Sequence, residues 1–301
     1  MTNLTLLVLC FVFGVLLRRI GRLPTTTPMV LNAFIIHISV PALVLVLVHD
    51  MQLSSDVAVV ASMGWLYFLL AAGCFVLLGR WLKLSRETTG ALILTAGLGN
   101  TSFFGFPMIE AFYDKPGLAI GILADQLGTM PVLFTLGVIT ASIYAGTHVG
   151  VAAIVRRIVL FPPFIALFAA LLLRPFDYPD WLTSALVRLG DTLAPIALVS
   201  VGFQLRLGHM LGNGRNLAIG LAYKLLLAPL VFYVLYVHLL GVKGLTAQVT
   251  IFEAAMPPMI TASIIATEHG LDPDLANLMV AVGLVISFFT LTGWWWMLRG
   301  V

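Results

Sequence analysis

The fold is decided by Gly99-Asn100-Thr101-Ser102-Phe103-Phe104-Gly105-Phe106-Pro107, which interrupts a long apolar run with poor helix formers. A second apolar run is interrupted at Pro257-Pro258. A broken helix at bilayer depth has backbone N–H and C=O groups that lipid cannot satisfy, so such a break is tolerated only where protein buries it or where it lines a cavity. Matched breaks in two halves of a chain indicate the binding site of a transporter.

The composition places the rest of the chain in a membrane. Of 301 residues, 60% are hydrophobic and 10% are charged, whereas soluble domains carry about 25% charged residues. Apolar runs near the length of about 17 to 25 residues that spans a bilayer predict ten helices. These runs are residues 4–17, 30–48, 57–78, 90–111, 118–144, 158–173, 181–205, 217–240, 245–266 and 275–298.

The basic residues divide unevenly between the two sides. The loops after the first, third, fifth and seventh runs carry Arg18, Arg19, Arg22, Arg80, Lys83, Arg86, Arg156, Arg157, Arg206 and Arg215. The opposite side carries Lys115, Arg174, Lys243 and Arg299. The positive-inside rule therefore predicts a multi-pass protein of the cell (inner) membrane with both termini extracytoplasmic. The net charge of +3 is explained by this topology, and no nucleic-acid partner is expected.

The two halves of the chain are related by a shift of 154 residues, which superposes residues 40–44 on 194–198 and residues 99–107 on 253–261. Each half holds five spans, so the second half enters the membrane inverted. We predict a first repeat at 1–145, a short cytoplasmic linker at 146–155 and a second, inverted repeat at 156–301. The fold class is then an all-α membrane protein in which helices 4 and 9 are broken and cross. The alternative is that Pro and Gly are simply frequent in membrane helices.

These motifs resemble a known family. The stretch 99–107 resembles the fourth-helix motif of the auxin efflux carrier family, and Glu253-Ala254-Ala255-Met256-Pro257-Pro258 resembles its ninth-helix motif. Asp125-Gln126 and residues 268–275 are similar to it as well. The resemblance implies the ten-helix fold shared with bile acid sodium symporters, in which one helix bundle moves as an elevator against a scaffold. The short segment 145–155 in place of the long plant loop implies a prokaryotic-type member.

Five residues at the breaks are candidates for substrate binding. The amide of Asn100 offers donors and an acceptor to a carboxylate, and the resemblance implies that Asn100 contacts substrate; alternatively, it caps the second half-helix. Hydroxyls of Thr101 and Ser102 lie beside it in sequence. Pro257 and Pro258 should free a carbonyl of Glu253 or Ala254. Half-helix N-termini favour anions and C-terminal carbonyls favour cations, so an organic anion and a coupling cation are expected to share the crossing.

Ionisable residues within the spans are costly and are therefore candidates for function. Asp125, Gln126 and Glu253 are predicted to couple an ion, either H+ or Na+. His37 and Asp191 correspond under the 154-residue shift and form a candidate pair of scaffold sites. As alternatives, Asp191 pairs with Arg188 three residues away and His37 is a packing residue. Lys224 is expected to extend toward the interface.

These features favour a secondary carrier, an elevator-type permease, for a small organic anion such as a dicarboxylate or an auxin-like acid. The expected partners are that anion and the lipid bilayer, and a homodimer is left open. No metal site or cofactor is expected besides the coupling ion. The alternatives are an intramembrane enzyme, and a channel or receptor without coupled transport. The chain has no His-Glu-x-x-His, Gly-x-Ser-x-Gly or phosphate-binding Gly-x-x-x-x-Gly-Lys motif, which argues against an enzyme.

Overall fold

The computed structural model describes residues 2–49, 51, 56–147, 150–205 and 214–301. Within these ranges the chain is helical and contains no β-strand. The helices are α1 (Thr2–Ile20), α2 (Thr27–His49), α3 (Val57–Leu82), α4 (Arg86–Gly97), α5 (Thr101–Ala145), α6 (Val151–Val159), α7 (Pro162–Leu173), α8 (Asp180–Gln204), α9 (Gly214–Leu239), α10 (Gly244–Ala254), α11 (Ile260–Glu268) and α12 (Pro273–Leu298).

Six of the described helices are long and apolar enough to cross a membrane, namely α2, α3, α5, α8, α9 and α12. A seventh span is obtained if α6 and α7, which bend by 56° at their junction, are one span. The 45 residues of α5 would extend about 68 Å, twice the hydrocarbon thickness of about 30 Å. Asp114 divides this run, since it adopts a left-handed φ of 56°. The total of ten spans and the inverted repeat stay predictions.

Two helical runs are broken where the sequence predicts. The first break separates α4 from α5, and the second separates α10 from α11. Both breaks are fully buried, as is every residue of the surrounding segments 88–109 and 249–260. Protein therefore shields both breaks from lipid, as the physics of an interrupted helix in a bilayer requires.

The described residues form two compact units. Unit 1 lies within Met1–Ser54, Ser102–Ile122 and Arg156–Leu205, and unit 2 within Ser55–Thr101, Leu123–Val155 and Arg206–Val301. Each unit draws on both predicted halves of the sequence. The compact units are defined by contacts in space, whereas the repeats are defined by similarity along the sequence. The units therefore do not test the predicted repeats at 1–145 and 156–301, which stay predictions.

Glycine allows close backbone contact inside each unit. In unit 1, a Cβ at Gly202 of α8 would lie 2.1 Å from the carbonyl oxygen of Phe11 in α1. In unit 2, a Cβ at Gly64 of α3 would lie 2.6 Å from the carbonyl carbon of Gly128 in α5. Membrane helices associate through such small residues because lipid gives no hydrophobic drive for their contact.

Candidate functional site

The two breaks meet in unit 2 through their backbones, and we call this contact the crossing. Between the half-helices the chain is extended, with φ and ψ of −125° and 125° at Leu98 and of −71° and 130° at Met259. Gly99 lies opposite Pro258 in an antiparallel bridge. Met259 N–H donates to Leu98 O at 3.0 Å, and Asn100 N–H donates to Pro257 O at 2.8 Å. Each break thus satisfies polar groups that the other leaves open.

Asn100 presents an unused donor at this crossing. The residue is 1% exposed, and its backbone N–H is already bonded to Pro257. Its side-chain Nδ2 is buried, with no described group in hydrogen-bonding position. A buried donor left without a partner costs about 1–3 kcal/mol, and in a native structure it calls for an explanation. A ligand that accepts hydrogen bonds would supply the missing partner.

Asp125 is bonded to the first residue of α5. Thr101 Oγ1 donates to Asp125 Oδ1 at 2.5 Å, and Gln126 Nε2 donates to Oδ2 at 2.7 Å. All three residues are buried, and the Oε1 of Gln126 has no partner among the described residues. Ser102, the next hydroxyl residue, is buried but is assigned to unit 1. The structure therefore brings Asn100, Thr101, Asp125 and Gln126 together in unit 2.

Glu253 lies in the last turn of α10, just before the second break. It is 1% exposed, and neither carboxylate oxygen has a hydrogen-bond partner in the part of the chain that the structure describes. The prediction that the Glu253 carbonyl is free is wrong, because it accepts a 3.1 Å bond from Met256 N–H. The chain turns tightly before Pro257 and uses this carbonyl to close the turn.

Lys224 is the site residue that sequence reasoning misplaced. It does not extend to the interface: it is 1% exposed, and Nζ donates to Tyr67 Oη at 2.9 Å and to Ala254 O at 3.4 Å. Nζ also lies 4.1 Å from the centroid of the Tyr67 ring, in cation–π geometry. Pro258 has no N–H to bond the Ala254 carbonyl, and this carbonyl accepts from Lys224 instead. Lys224 is ten residues, or about 15 Å, into α9, too deep for its side chain to reach the interface.

Two prolines leave backbone carbonyls near Asp125 and Lys224 to accept side-chain hydrogen bonds. Proline has no N–H, so the carbonyl four residues earlier loses its helical partner. Leu127 lies four residues before Pro131 and two residues after Asp125. Its carbonyl accepts a hydrogen bond from Trp65 Nε1 at 3.1 Å. Leu225 lies four residues before Pro229 and next to Lys224 in sequence. Its carbonyl accepts a hydrogen bond from Trp294 Nε1 at 2.8 Å. Asp125 and Lys224 both lie in π-helical turns, which are frequent at functional sites.

A small cavity lies behind the crossing, lined among others by Tyr67, Gly99, Thr101, Lys224, Glu253 and Ala254. It has room for about one water molecule. Across the described residues, no three His, Cys, Asp or Glu side chains are grouped closely enough to hold a metal ion. The polar groups of this cavity are one ammonium, one carboxylate, hydroxyls and backbone carbonyls.

The scaffold candidates lie in unit 1 and are not part of this cluster. His37 is exposed, and its Nδ1 lies 2.9 Å from Ala33 O within the same helix. Asp191 does not pair with Arg188 as expected: its carboxylate lies 3.7 Å from Lys115 Nζ. Asp191 keeps the helical bond from its N–H to Val187 O at 2.8 Å, so the contact with Lys115, which is distant in sequence, and not a change of helical spacing, gives Asp191 its partner. Both partners of this pair are about half exposed, and such pairs contribute about 0–1 kcal/mol.

A family model described as "Membrane transport protein" matches residues 1–295. The chain belongs to this membrane transport protein family. It is 25% identical over 296 residues to an "Uncharacterized transporter" of Methanothermobacter thermautotrophicus, covering 97% of this chain and 96% of that protein. It is also 24% identical over 288 residues to a "Putative malonate transporter" of Rhizobium meliloti, covering 89% and 86%.

A plant protein is similar over a shorter stretch. A "Probable auxin efflux carrier component 5a" of Oryza sativa is 33% identical over 78 residues, which is 26% of this chain and 21% of that protein. The resemblance drawn from the two crossing motifs is thus confirmed. A membrane transport protein of this family is a multi-pass membrane transporter and not an enzyme.

Proposed function

We propose that this membrane transport protein is a secondary active carrier for a small organic anion, a dicarboxylate or an auxin-like carboxylic acid. The similar proteins named for malonate and for auxin both concern carboxylic acids. The proposal locates the binding site at the crossing, with Asn100 as its main hydrogen-bond donor.

The unpaired Nδ2 of Asn100 is the observation that carries this proposal. It lies one residue before α5 begins at Thr101, and a helix N-terminus carries about half a positive charge. A second half-helix begins close by, since α11 starts at Ile260, two residues after the bridge at Pro258. A buried donor next to a helix N-terminus suits a carboxylate, which only accepts hydrogen bonds.

The proposal includes the transport cycle that the family resemblance implies. The helix bundle that contains the bridge between the broken helices is then the moving part. The ten spans, the inverted repeat and the extracytoplasmic termini belong to the same proposal. His37 and Asp191 are retained in it as scaffold residues.

Ligand-dependent stability of the purified protein tests this function. We expect malonate or another panel carboxylate to raise the unfolding temperature in a concentration-dependent way, because a ligand that binds only the folded state stabilises it by mass action. Malonamide, which has the same carbon skeleton without charge, is the control and should have no effect. Equal stabilisation by acid and amide, or none by any dicarboxylate or aromatic acid, would contradict the proposal.

A further inference from the structure

The ammonium of Lys224 lies where a bound cation would be expected. Ala254 is the last residue of α10, and a helix C-terminus carries about half a negative charge. In carriers with broken helices, such carbonyls coordinate the coupling cation. Here the Ala254 carbonyl accepts from Lys224 Nζ, and a Cβ at Gly99 would lie only 3.2 Å from that nitrogen. The ammonium therefore occupies the space between the carbonyl and the bridge.

The contacts of Lys224 hold it there. One N–H donates to Tyr67 Oη, one to Ala254 O, and the charge lies over the ring of Tyr67. Tyr67 in turn donates from its hydroxyl to the Lys224 carbonyl at 3.2 Å. A sodium ion at the same carbonyl would meet the positive charge of the ammonium at close range and in a medium of low dielectric constant, where like charges repel strongly.

The buried charges nearby do not balance without a proton. Glu253 interacts electrostatically with a second carboxylate, that of Asp125, and with the ammonium of Lys224. Asp125 accepts hydrogen bonds from Thr101 and Gln126, which stabilise its ionised form. Glu253 accepts none from the described residues, and an ionised carboxylate in that state is costly. A proton on Glu253 neutralises the cluster.

Among the described residues, the helices packed against α10 bring few further titratable groups. Near Lys224, α3 contributes Tyr67, and α9 contributes Lys224 itself and, beside it, Tyr223, whose ring centroid lies 6.3 Å from that of Tyr67. Tyr233 and Tyr236 follow further along α9. From α12, only Asp274 in the first turn is titratable. The electrostatic environment of the Glu253 carboxyl group is thus determined mainly by Lys224 and Asp125.

We propose that Lys224 is a built-in cation that replaces a coupling sodium ion, and that Glu253 carries the proton that drives transport. This inference rests on the proposed function, and it names the coupling ion of that same site. A proton on Glu253 removes a negative charge from the cavity that Gly99 and Thr101, the neighbours of Asn100, also line, so the proton and the organic anion favour each other's binding. The coupling is reciprocal, and couplings of this kind are typically about 5- to 150-fold.

A spectroscopic test of the proton site needs no substrate. In the purified parent protein, the infrared C=O stretch of a protonated carboxylic acid should be present and should disappear in Glu253→Gln. Glu268→Gln, which removes an exposed carboxylate at the end of α11, is the matched control and should retain the band. A band that survives in Glu253→Gln, or one absent from the parent at neutral pH, would overturn the inference.

A stability test addresses the built-in cation. The unfolding temperature of the parent should be the same in sodium chloride and in choline chloride of equal concentration. Lys224→Ala should gain a concentration-dependent rise with sodium or ethylammonium, since a small cation can then occupy the vacated site. Lys115→Ala, which removes a half-exposed ammonium, is the control and should gain none.

The outcomes separate this inference from the proposed function. Stabilisation of the parent by sodium over choline overturns the built-in cation, whether or not Lys224→Ala folds. If Lys224→Ala is not recovered folded, Lys224→Gln takes its place. Neither readout depends on a carboxylate substrate, so a failed ligand panel contradicts the proposed function alone and leaves these results to decide the inference.

Discussion

The backbone N–H of Asn100 donates a 2.8 Å hydrogen bond to the carbonyl of Pro257. This bond joins the two broken helices and leaves the side chain of Asn100 to interact with something else. The donor comes from one break and the acceptor from the other, so neither half of the crossing is complete alone. Substitutions at the crossing should therefore affect ligand binding and stability separately, according to whether they alter the side chain or the bridge.

Asn100→Ala should weaken binding of the panel carboxylate by about 1–3 kcal/mol, or about 5- to 150-fold, because it removes the Nδ2 donor. Folding should be retained, since the backbone bond to Pro257 does not involve the side chain. Asn277→Ala, at an exposed position of α12, is the matched control. Equal affinity of Asn100→Ala and the parent by equilibrium binding would reduce Asn100 to a structural cap.

Gly283→Ala should lower the unfolding temperature. A Cβ there would lie 2.7 Å from Pro258 Cδ and 2.9 Å from Leu221 Cδ2, and overpacking of this kind costs about 1–3 kcal/mol. Gly293→Ala in the same helix is the control, because no atom lies within 4 Å of the added Cβ. Thermal unfolding in one detergent compares the two. If both variants melt alike, α12 does not constrain the crossing.

Glu253→Gln should abolish accumulation driven by a proton gradient and preserve exchange of internal for external substrate, because exchange needs no net proton movement. Asp125→Asn should impair both, since it alters the group that accepts from Thr101 and Gln126. Uptake by proteoliposomes under imposed proton or sodium gradients measures this. Proton-driven accumulation by Glu253→Gln at the parent's level would assign coupling elsewhere, with His37 and Asp191 next.

Cysteines at Thr2 and at Lys83, in a cysteine-free background lacking Cys10 and Cys74, should be labelled from opposite sides. The prediction follows from the uneven distribution of Lys and Arg, and Lys83 is exposed in the loop after α3. In sealed right-side-out cells, an impermeant maleimide should label only the cysteine at position 2. Labelling of both positions before permeabilisation would refute the predicted topology.

The sequence predicted those parts of the fold that depend on local chemistry. Gly99 disfavours a helix and Pro257-Pro258 interrupt one, so both breaks could be located to within a few residues. The division into two units could not be predicted, because it depends on contacts between distant segments. One such contact is that of Gly202 with Phe11, which joins α8 to the first helix of the chain.

The candidate site was predicted in part for the same reason. Asn100, Asp125 and Glu253 stand out as polar residues in apolar runs, and all three are buried in unit 2. The role of Lys224 could not be predicted from spacing, because its partners Tyr67 and Ala254 are 157 and 30 residues away. The pairing of Asp191 with Lys115 was missed in the same way, since the two residues are distant in sequence.

Solute counterflow tests the central claim, that the crossing carries an organic anion by alternating access, most directly. Proteoliposomes are preloaded with the panel acid that binds most tightly, and a trace of the labelled acid is added outside. A carrier predicts transient accumulation of label above its equilibrium level in the parent and in Asn277→Ala, and its loss in Asn100→Ala. Label that only equilibrates, as through a channel, or that enters Asn100→Ala as fast as the parent, would contradict the account.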